Sequence, residues 1–387
     1  MALVARRPID RWRLDRLLLG RVLQLNWLFI FLICLPVAVG CIMLYSAAGG
    51  SFDPWASRQL VRFGMGAVIM MIVALIDLRF WMRAAYPIYG VALVLLLAVD
   101  LMGFVAMGAQ RWIDVGFIQL QPSELMKIAL VLALARYFHV LGQEDIRRVR
   151  RLIVPVFMVL VPVALVLEQP DLGTAVLLSF GGLVMFFLAG VPLWMLGVAV
   201  GAVVGAMPLA WQFLHDYQKQ RVLTFLDPGA DPLGAGYHIL QSQIALGSGG
   251  LTGKGFLQGS QSHLSFLPEK QTDFIFTMLA EEFGLVGSVA LMLLYFFIIA
   301  MASLIALRSR HQFGRLLGLG IAATFSFYVF VNIAMVTGLV PVVGVPLPMI
   351  SYGGSAMLTL MAGFGLVLNV HISRDLQLGR RPDSGRR

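Results

Sequence analysis

The sequence predicts an all-α polytopic integral membrane protein of about ten transmembrane helices with both termini in the cytoplasm. Of its 387 residues, 59% are hydrophobic and 13% are charged, and the mean hydropathy is +0.86. Soluble domains are closer to half apolar and a quarter charged, so a chain of this composition could not cover a soluble surface with polar groups. The apolar residues occur in runs of about 20, the length that crosses a bilayer as a helix. A soluble enzyme is therefore excluded.

Windows of about 19 residues locate the individual spans. The spans at 122–141, 152–168 and 173–190 are the short ones, which suggests helices that are tilted, broken or shielded from lipid. The ten predicted spans cover residues 27–48, 58–76, 86–107, 122–141, 152–168, 173–190, 192–212, 274–306, 313–338 and 353–372.

The positions of the lysines and arginines predict the orientation of the spans. Of the 29 lysine and arginine residues, 21 lie in segments that face the cytoplasm if the N-terminus is inside. Cytoplasmic loops are enriched in these residues, so the basic segments 1–26 and 373–387 are predicted to be cytoplasmic. The net charge of +9 falls in short clusters between apolar runs. This distribution argues against nucleic-acid binding, which requires a continuous basic face.

One predicted outer loop, residues 213–272 between spans seven and eight, is much longer than the others. Long connections are commonly functional or disordered. This one contains six tyrosine and phenylalanine residues and several glycine-rich turns, a composition that is not typical of disorder. We expect it to fold onto the outer face of a single membrane domain that comprises residues 1–387.

Several charged residues interrupt the apolar spans, where charge is costly and usually faces the protein interior. Glu124 and Lys127 are three residues apart and share one helix face. They either form a structural ion pair or line a polar cavity that orients a charged substrate. Asp171 and Glu124 each follow a Gln-Pro step, which by itself is compatible with helix capping. Because both carboxylates occur near the outer ends of short spans, we expect them to share one pocket. Other charged residues within apolar spans are Glu168, Glu281 and Glu282, and Arg111 and Asp114 lie at the edge of a span.

The segment 338–355 contains three prolines and four glycines and is almost uncharged. It cannot form a regular helix. Irregular backbone at membrane depth is stable only when it is buried in protein or lines a cavity. We therefore expect a loop that closes the same pocket.

Several motifs follow one another along the chain, at 108–113, 121–127, 169–174, 231–237, 241–242, 247–250, 266–276 and 332–356. In this order they resemble the motifs of the SEDS family (shape, elongation, division and sporulation), and in particular of its elongation-associated members. The sequence of the outer loop at 221–228 and 253–255 resembles that of the elongation-associated members more than that of the division-associated members. Gln271 departs from the family pattern, which usually has histidine there, so a proton-transfer role for that position is in doubt.

The resemblance implies a peptidoglycan glycosyltransferase in the bacterial cytoplasmic membrane that polymerises lipid II on the extracytoplasmic face during elongation. It implies a class B penicillin-binding protein transpeptidase as partner, within an elongation complex and among membrane lipids. It also implies that Asp273 is the essential carboxylate. The family cavity positions that carry over are Trp112, Arg111, Glu124, Lys127 and Asp171.

Polymerisation of lipid II needs a base that takes the proton of the acceptor sugar hydroxyl and cations that stabilise the departing diphosphate. Lipid II is α-linked and its polymer β-linked, so a single inverting displacement with one general base suffices. Asp273 is the candidate base. The alternative is that it is an acid in the first turn of the next helix, with Thr272 as the N-cap.

The sequence contains no His/Cys cluster that suggests a structural metal, but Mg²⁺ or Mn²⁺ could bridge the substrate phosphates. The candidate cations for the diphosphate are Arg111, Lys219, Arg221, Lys254 and Lys270.

Two other functions are compatible with parts of the sequence. Buried charges and broken helices also occur in transporters, so a flippase for a lipid-linked cell-wall precursor is one alternative. The lack of a clear inverted repeat and the outward position of the polar residues count against it. A non-catalytic scaffold is the other, but it would not need Asp273 or the buried charges.

Overall fold

The protein forms a bundle of long helices, seen here in a computed structural model. The structure describes residues 20–102, 104–106, 109–114, 119–213, 219, 223–225, 227, 235–263 and 269–376. The long helices are α1 (Trp27–Ala47), α2 (Trp55–Leu75), α3 (Leu78–Met102), α4 (Pro122–Val140), α6 (Val149–Glu168), α7 (Leu172–Ala189), α8 (Leu193–Phe213), α11 (Ile275–Leu307), α12 (Gln312–Val336) and α13 (Gly354–Ile372). Shorter helices are α5 (Gln143–Ile146), α9 (Ala235–Ser248) and α10 (Ser260–His263).

Each of the ten predicted spans corresponds to one long helix, and the membrane-protein fold class is confirmed. Within the described residues, eight helices are long and apolar enough to cross a membrane. The other two are α4, which carries three charged residues, and α8, whose clearly apolar part is Leu193–Leu209. The exact number of spans and the side of each loop stay predictions.

The third predicted span was placed too far along the chain. Helix α3 ends at Met102, and the next residues form a small antiparallel sheet of β1 (Phe104–Ala106), β2 (Ala109–Asp114) and β3 (Gln119–Leu120). Phe104 pairs with Trp112, and Ile113 pairs with Leu120. The apolar residues after Met102 therefore continue into a hairpin instead of a helix.

The core lies among α4, α7, α12 and α13, whose residues are the most buried of the long helices. Helix α13 also packs closely on α2. A Cβ atom at Gly365 would lie 2.6 Å from the backbone oxygen of Met70, so only glycine permits this approach. Small residues at such crossings let membrane helices pack backbone to backbone.

Helix α11 is broken at Gly284, whose φ of 66° is unfavourable for other residues. The described part of the outer loop fits into this break. The amides of Lys254 and Gly255 donate to the carbonyls of Glu281 and Glu282, each at 3.0 Å. The described part of this loop therefore rests on α11 near its break, and the side of the membrane on which it lies stays a prediction.

Candidate active site

One cavity of about 410 Å³ brings together most of the residues singled out in the sequence. It lies where the ends of α4, α7 and α12 meet the β-hairpin and the segment before α13. Arg111, Trp112, Glu124, Lys127, Asp171 and Asp273 all line it, together with Gln119, Gln121, Glu269, Thr272, Tyr328, Gly344, Tyr352 and Ser355. The expected shared pocket of Glu124 and Asp171 is therefore present.

Glu124 and Lys127 form a buried ion pair on one face of α4. The Lys127 ammonium lies 2.7 Å from Oε1 of Glu124, and the side chains are 3% and 5% exposed. The Tyr328 hydroxyl donates to Oε2 of Glu124 at 2.6 Å, and the Lys127 ammonium lies 4.4 Å from the centre of the Tyr328 ring. The pair is thus a structural ion pair that also borders the cavity, and its role in orienting a charged substrate stays a prediction.

Asp171 combines helix capping with a position on the cavity wall. Its Oδ1 accepts from the Thr174 amide at 3.1 Å, which caps α7. Its Oδ2 accepts from the Thr174 hydroxyl at 2.9 Å and from the Gln121 amide group at 3.1 Å. These bonds hold the start of α7 against the start of α4 and fix the two Gln-Pro steps beside each other.

Arg111 projects from β2 and binds the turn between α6 and α7. Its Nε donates to the Gln169 carbonyl at 3.2 Å, and Nη2 donates to the Pro170 carbonyl. Nη1 lies 4.0 Å from Oδ1 of Asp171. The hairpin that the sequence did not predict is therefore the element that brings Arg111 and Trp112 to the cavity. The side chain of Asp114, at the end of the same strand, lies outside the described residues.

Asp273 lies on the cavity wall just before α11. The helix begins at Ile275 with Phe274 as its N-cap, so Asp273 is not in the first turn. Thr272 lies two residues before the N-cap and does not cap this helix, and its hydroxyl donates to the Glu269 carboxylate at 2.9 Å. The capping interpretation of Asp273 is therefore wrong, and its position is explained by the cavity instead.

The irregular segment 338–353 closes the cavity as expected. The Asn332 amide group donates to the carbonyls of Asp273 at 2.9 Å and Val345 at 2.8 Å, which joins this segment to the candidate base. The Ser351 hydroxyl donates to the Thr272 carbonyl at 2.5 Å. Gly344 lies close enough that an added Cβ would be 3.6 Å from Oδ2 of Asp273.

A wider groove of about 810 Å³ adjoins the cavity and shares Trp112, Glu269, Thr272 and Tyr352 with it. Arg58 and Arg62, one turn apart on α2, line this groove. The Arg62 guanidinium carbon lies 4.2 Å from the centre of the Tyr352 ring. Sequence reasoning missed both arginines, although their spacing of four residues at the predicted outer end of span two was a usable signal.

The remaining predicted cations and acids do not line the cavity. The Lys254 ammonium lies 2.8 Å from the Glu281 carboxylate, which is 0% exposed, and so neutralises a buried acid instead of facing the cavity. Glu282 accepts a 2.5 Å hydrogen bond from Ser46 of α1. Glu168 is exposed at the end of α6. Lys219 and Lys270 do not line this cavity, and Arg221 lies outside the described residues.

A resident metal site is not evident in the described part of the chain, which contains no cluster of three or more His, Cys, Asp or Glu residues. Glu269 and Asp273 nevertheless line the same cavity. Two carboxylates fit a cation that takes its other ligands from water and substrate phosphates.

These features define a polytopic membrane protein with a polar, carboxylate-lined cavity at one end of its helix bundle. Residues 26–376 match the family model of FtsW, RodA and SpoVE, described as "Cell cycle protein". The chain belongs to this family, and the resemblance to the SEDS proteins is confirmed.

Relatives and solved structures agree with this assignment. The peptidoglycan glycosyltransferase MrdB of Escherichia coli (strain K12) is 47% identical over 347 residues, covering 89% of this chain and 93% of the relative. Stage V sporulation protein E of Bacillus subtilis is 36% identical over 362 residues, covering 89% and 96%. One similar structure comes from work on "structural coordination of polymerization and crosslinking by a peptidoglycan synthase complex", with TM-score 0.79, 36% identity and coverage of 91% and 99%. The rod shape determining protein RodA of Thermus thermophilus has TM-score 0.68, 32% identity and coverage of 91% and 98%.

Proposed function

We propose that this protein is a peptidoglycan glycosyltransferase that polymerises lipid II into glycan strands during cell elongation. A relative that is 47% identical over nearly the full chain is named for this activity. The observation that carries the proposal is the position of Asp273, on the wall of a polar cavity and outside the helix that follows it. A carboxylate on the cavity wall is within reach of a substrate that enters the cavity.

Asp273 acts as the general base in this proposal. It takes the proton of the acceptor sugar hydroxyl, the hydroxyl oxygen attacks the anomeric carbon of the donor, and undecaprenyl diphosphate leaves with the bonding electrons. An α-linked donor gives a β-linked product in this single displacement. Asn332 supports the base, because its amide group fixes the backbone carbonyl of Asp273.

The cations around the cavity suit the leaving diphosphate. Arg111 lies at the cavity wall, and Arg58 and Arg62 line the adjoining groove. Arginine binds phosphate oxygens in a bidentate way, which stabilises the negative charge that develops on the leaving group. A Mg²⁺ or Mn²⁺ ion held by Glu269, Asp273 and the substrate phosphates would add to this stabilisation. Removal of divalent ions with a chelator, followed by their return, tests that part of the proposal.

The charge distribution supports a location in the bacterial cytoplasmic membrane with the cavity on the extracytoplasmic side. Of the 29 lysines and arginines, 21 lie in segments predicted to be on the other side. A similar solved chain belongs to a complex that couples polymerization to crosslinking. We therefore include a class B penicillin-binding protein as partner, together with other elongation proteins and the surrounding lipids.

The direct test is polymerisation of lipid II in detergent by the purified chain with its transpeptidase partner, with glycan length read on a gel. Detergent removes the two compartments that a flippase needs, so polymer formation would identify a polymerase. Asp273→Asn should abolish the polymer while the complex with the partner persists. Asp145→Asn, which neutralises a half-exposed acid paired with Arg148 at the opposite end of the bundle, is the matched control and should retain full activity. Normal glycan from Asp273→Asn would remove Asp273 from the mechanism.

A further inference from the structure

A second cavity, of about 800 Å³, lies at the end of the bundle opposite to Asp273. It is formed where α4, α7 and α11 end and α12 begins. Helix α11 starts two residues after Asp273 and reaches this cavity with its last residue, Leu307. The cavity therefore belongs to the side that the charge distribution predicts to be cytoplasmic, and it is separate from the candidate active site.

The lining of this cavity combines exposed cations with apolar and polar side chains. Arg310 and Arg315 are exposed and form its rim, while Leu188 and Leu319 are half-buried and belong to its apolar part. The polar side chains of His139, Ser309 and His311 are buried in the wall. Leu319 lies seven residues after the start of α12, which is about 10 Å along the helix axis, so the apolar part extends toward the middle of the bundle.

The rim carries a net positive charge. Arg310 and Arg374 share one carboxylate, that of Asp375, at 3.4 and 3.5 Å. Arg315 is exposed and forms no ion pair among the described residues. The described lining residues of the cavity include no acidic side chain. Burial lowers the pKa of His311, so the arginines and the positive end of the α12 dipole supply the charge.

We propose that this cavity binds an anionic phospholipid of the inner leaflet. The phosphate binds Arg310 and Arg315, and one acyl chain lies along Leu188 and Leu319. Basic pockets between transmembrane helices on the cytoplasmic side are suited to such headgroups. A soluble anion would leave the leucine wall without a partner. The chain's own terminal segments, 1–26 and 373–387, are net basic, and the described acid of the second segment, Asp375, is already shared between Arg310 and Arg374.

The test uses the full chain, purified and freed of lipid in a neutral detergent. Binding of phosphatidylglycerol, phosphatidylcholine and inorganic phosphate is measured by native mass spectrometry and by the shift of the thermal unfolding midpoint. We expect one phosphatidylglycerol to bind more tightly than either of the other two. Arg310→Gln/Arg315→Gln should weaken its binding about 30-fold, since each arginine near a lipid surface contributes about a fivefold factor.

The matched control is Arg79→Gln/Arg83→Gln, which removes two exposed arginines from the start of α3, another predicted inner segment. It should leave the affinity unchanged. Equal affinity of the Arg310→Gln/Arg315→Gln variant, or an equal loss in the control, would overturn the proposal. Inorganic phosphate binding as tightly as phosphatidylglycerol would also overturn it, because the site would then be a simple anion site. If the double variant does not fold, the single variant Arg315→Gln should still weaken binding about fivefold.

Discussion

Replacing Glu124 with alanine should destabilise the fold as well as abolish activity. The substitution leaves the Lys127 ammonium, which is 3% exposed, without its partner at 2.7 Å, and it removes the acceptor of the Tyr328 hydroxyl. Breaking a buried ion pair by removing one member costs about 3–5 kcal/mol. Unfolding entropies of about 2.1 cal/mol/K per residue give about 0.8 kcal/mol/K for this chain, so the unfolding midpoint should fall by about 4–6 °C.

A double variant separates the ion pair from its individual charges. In Glu124→Gln/Lys127→Met neither charge remains, and buried pairs can often be replaced by neutral groups of similar size at little cost. We therefore expect a smaller loss of stability than in Glu124→Ala. Thermal unfolding in detergent measures both effects, and Glu168→Ala, which removes an exposed carboxylate at the end of α6, serves as control. An unchanged midpoint with lost activity in Glu124→Ala would refute this reasoning and place Glu124 in direct contact with substrate.

Two further predictions concern residues around the site. Lys254→Met should lower the unfolding midpoint by several degrees, because Glu281 is fully buried beside it, whereas Lys254→Arg should retain most of the stability. A loss of lipid II binding without loss of stability in Lys254→Met would instead support a phosphate contact. Asn332→Ala should reduce the turnover number about tenfold or more with little change in KM, since it frees the backbone carbonyls of Asp273 and Val345. Steady-state polymerisation kinetics distinguish this from a binding defect, in which KM would rise at constant turnover.

The long helices could be predicted because the bilayer requires continuous apolar runs of a fixed length. The hairpin after α3 could not, because residues 104–106 are as apolar as the helix before them. Their strand conformation depends on pairing with β2, and that pairing brings Trp112 to the cavity. Hydropathy reports where a segment is buried, but it does not distinguish a helix end from a short hairpin in the same environment.

The acidic residues near the site also show how far the sequence alone could predict the structure. Glu124, Asp171 and Glu281 all lie within or beside apolar spans, and the cost of burying charge marks all three as exceptional. Only the first two face the cavity, because the break at Gly284 and the loop that fills it direct Glu281 toward Lys254. The sequence thus identifies which charges need a partner, whereas the path of the backbone decides whether that partner is a side chain or a substrate.

The pattern of ion pairs explains how one cavity can be both stable and reactive. On the wall formed by the starts of α4 and α7, each acid has a cation beside it: Glu124 has Lys127, and Asp171 has Arg111. This wall therefore carries little net charge. Arg58 and Arg62, by contrast, form no ion pairs among the described residues and line the groove that adjoins Asp273's cavity. A diphosphate in the groove would supply the missing anion and would direct the sugar toward the carboxylate. We therefore expect the paired charges to hold the helices in place and Arg58 and Arg62 to provide the binding energy that orients the substrate in the proposed reaction.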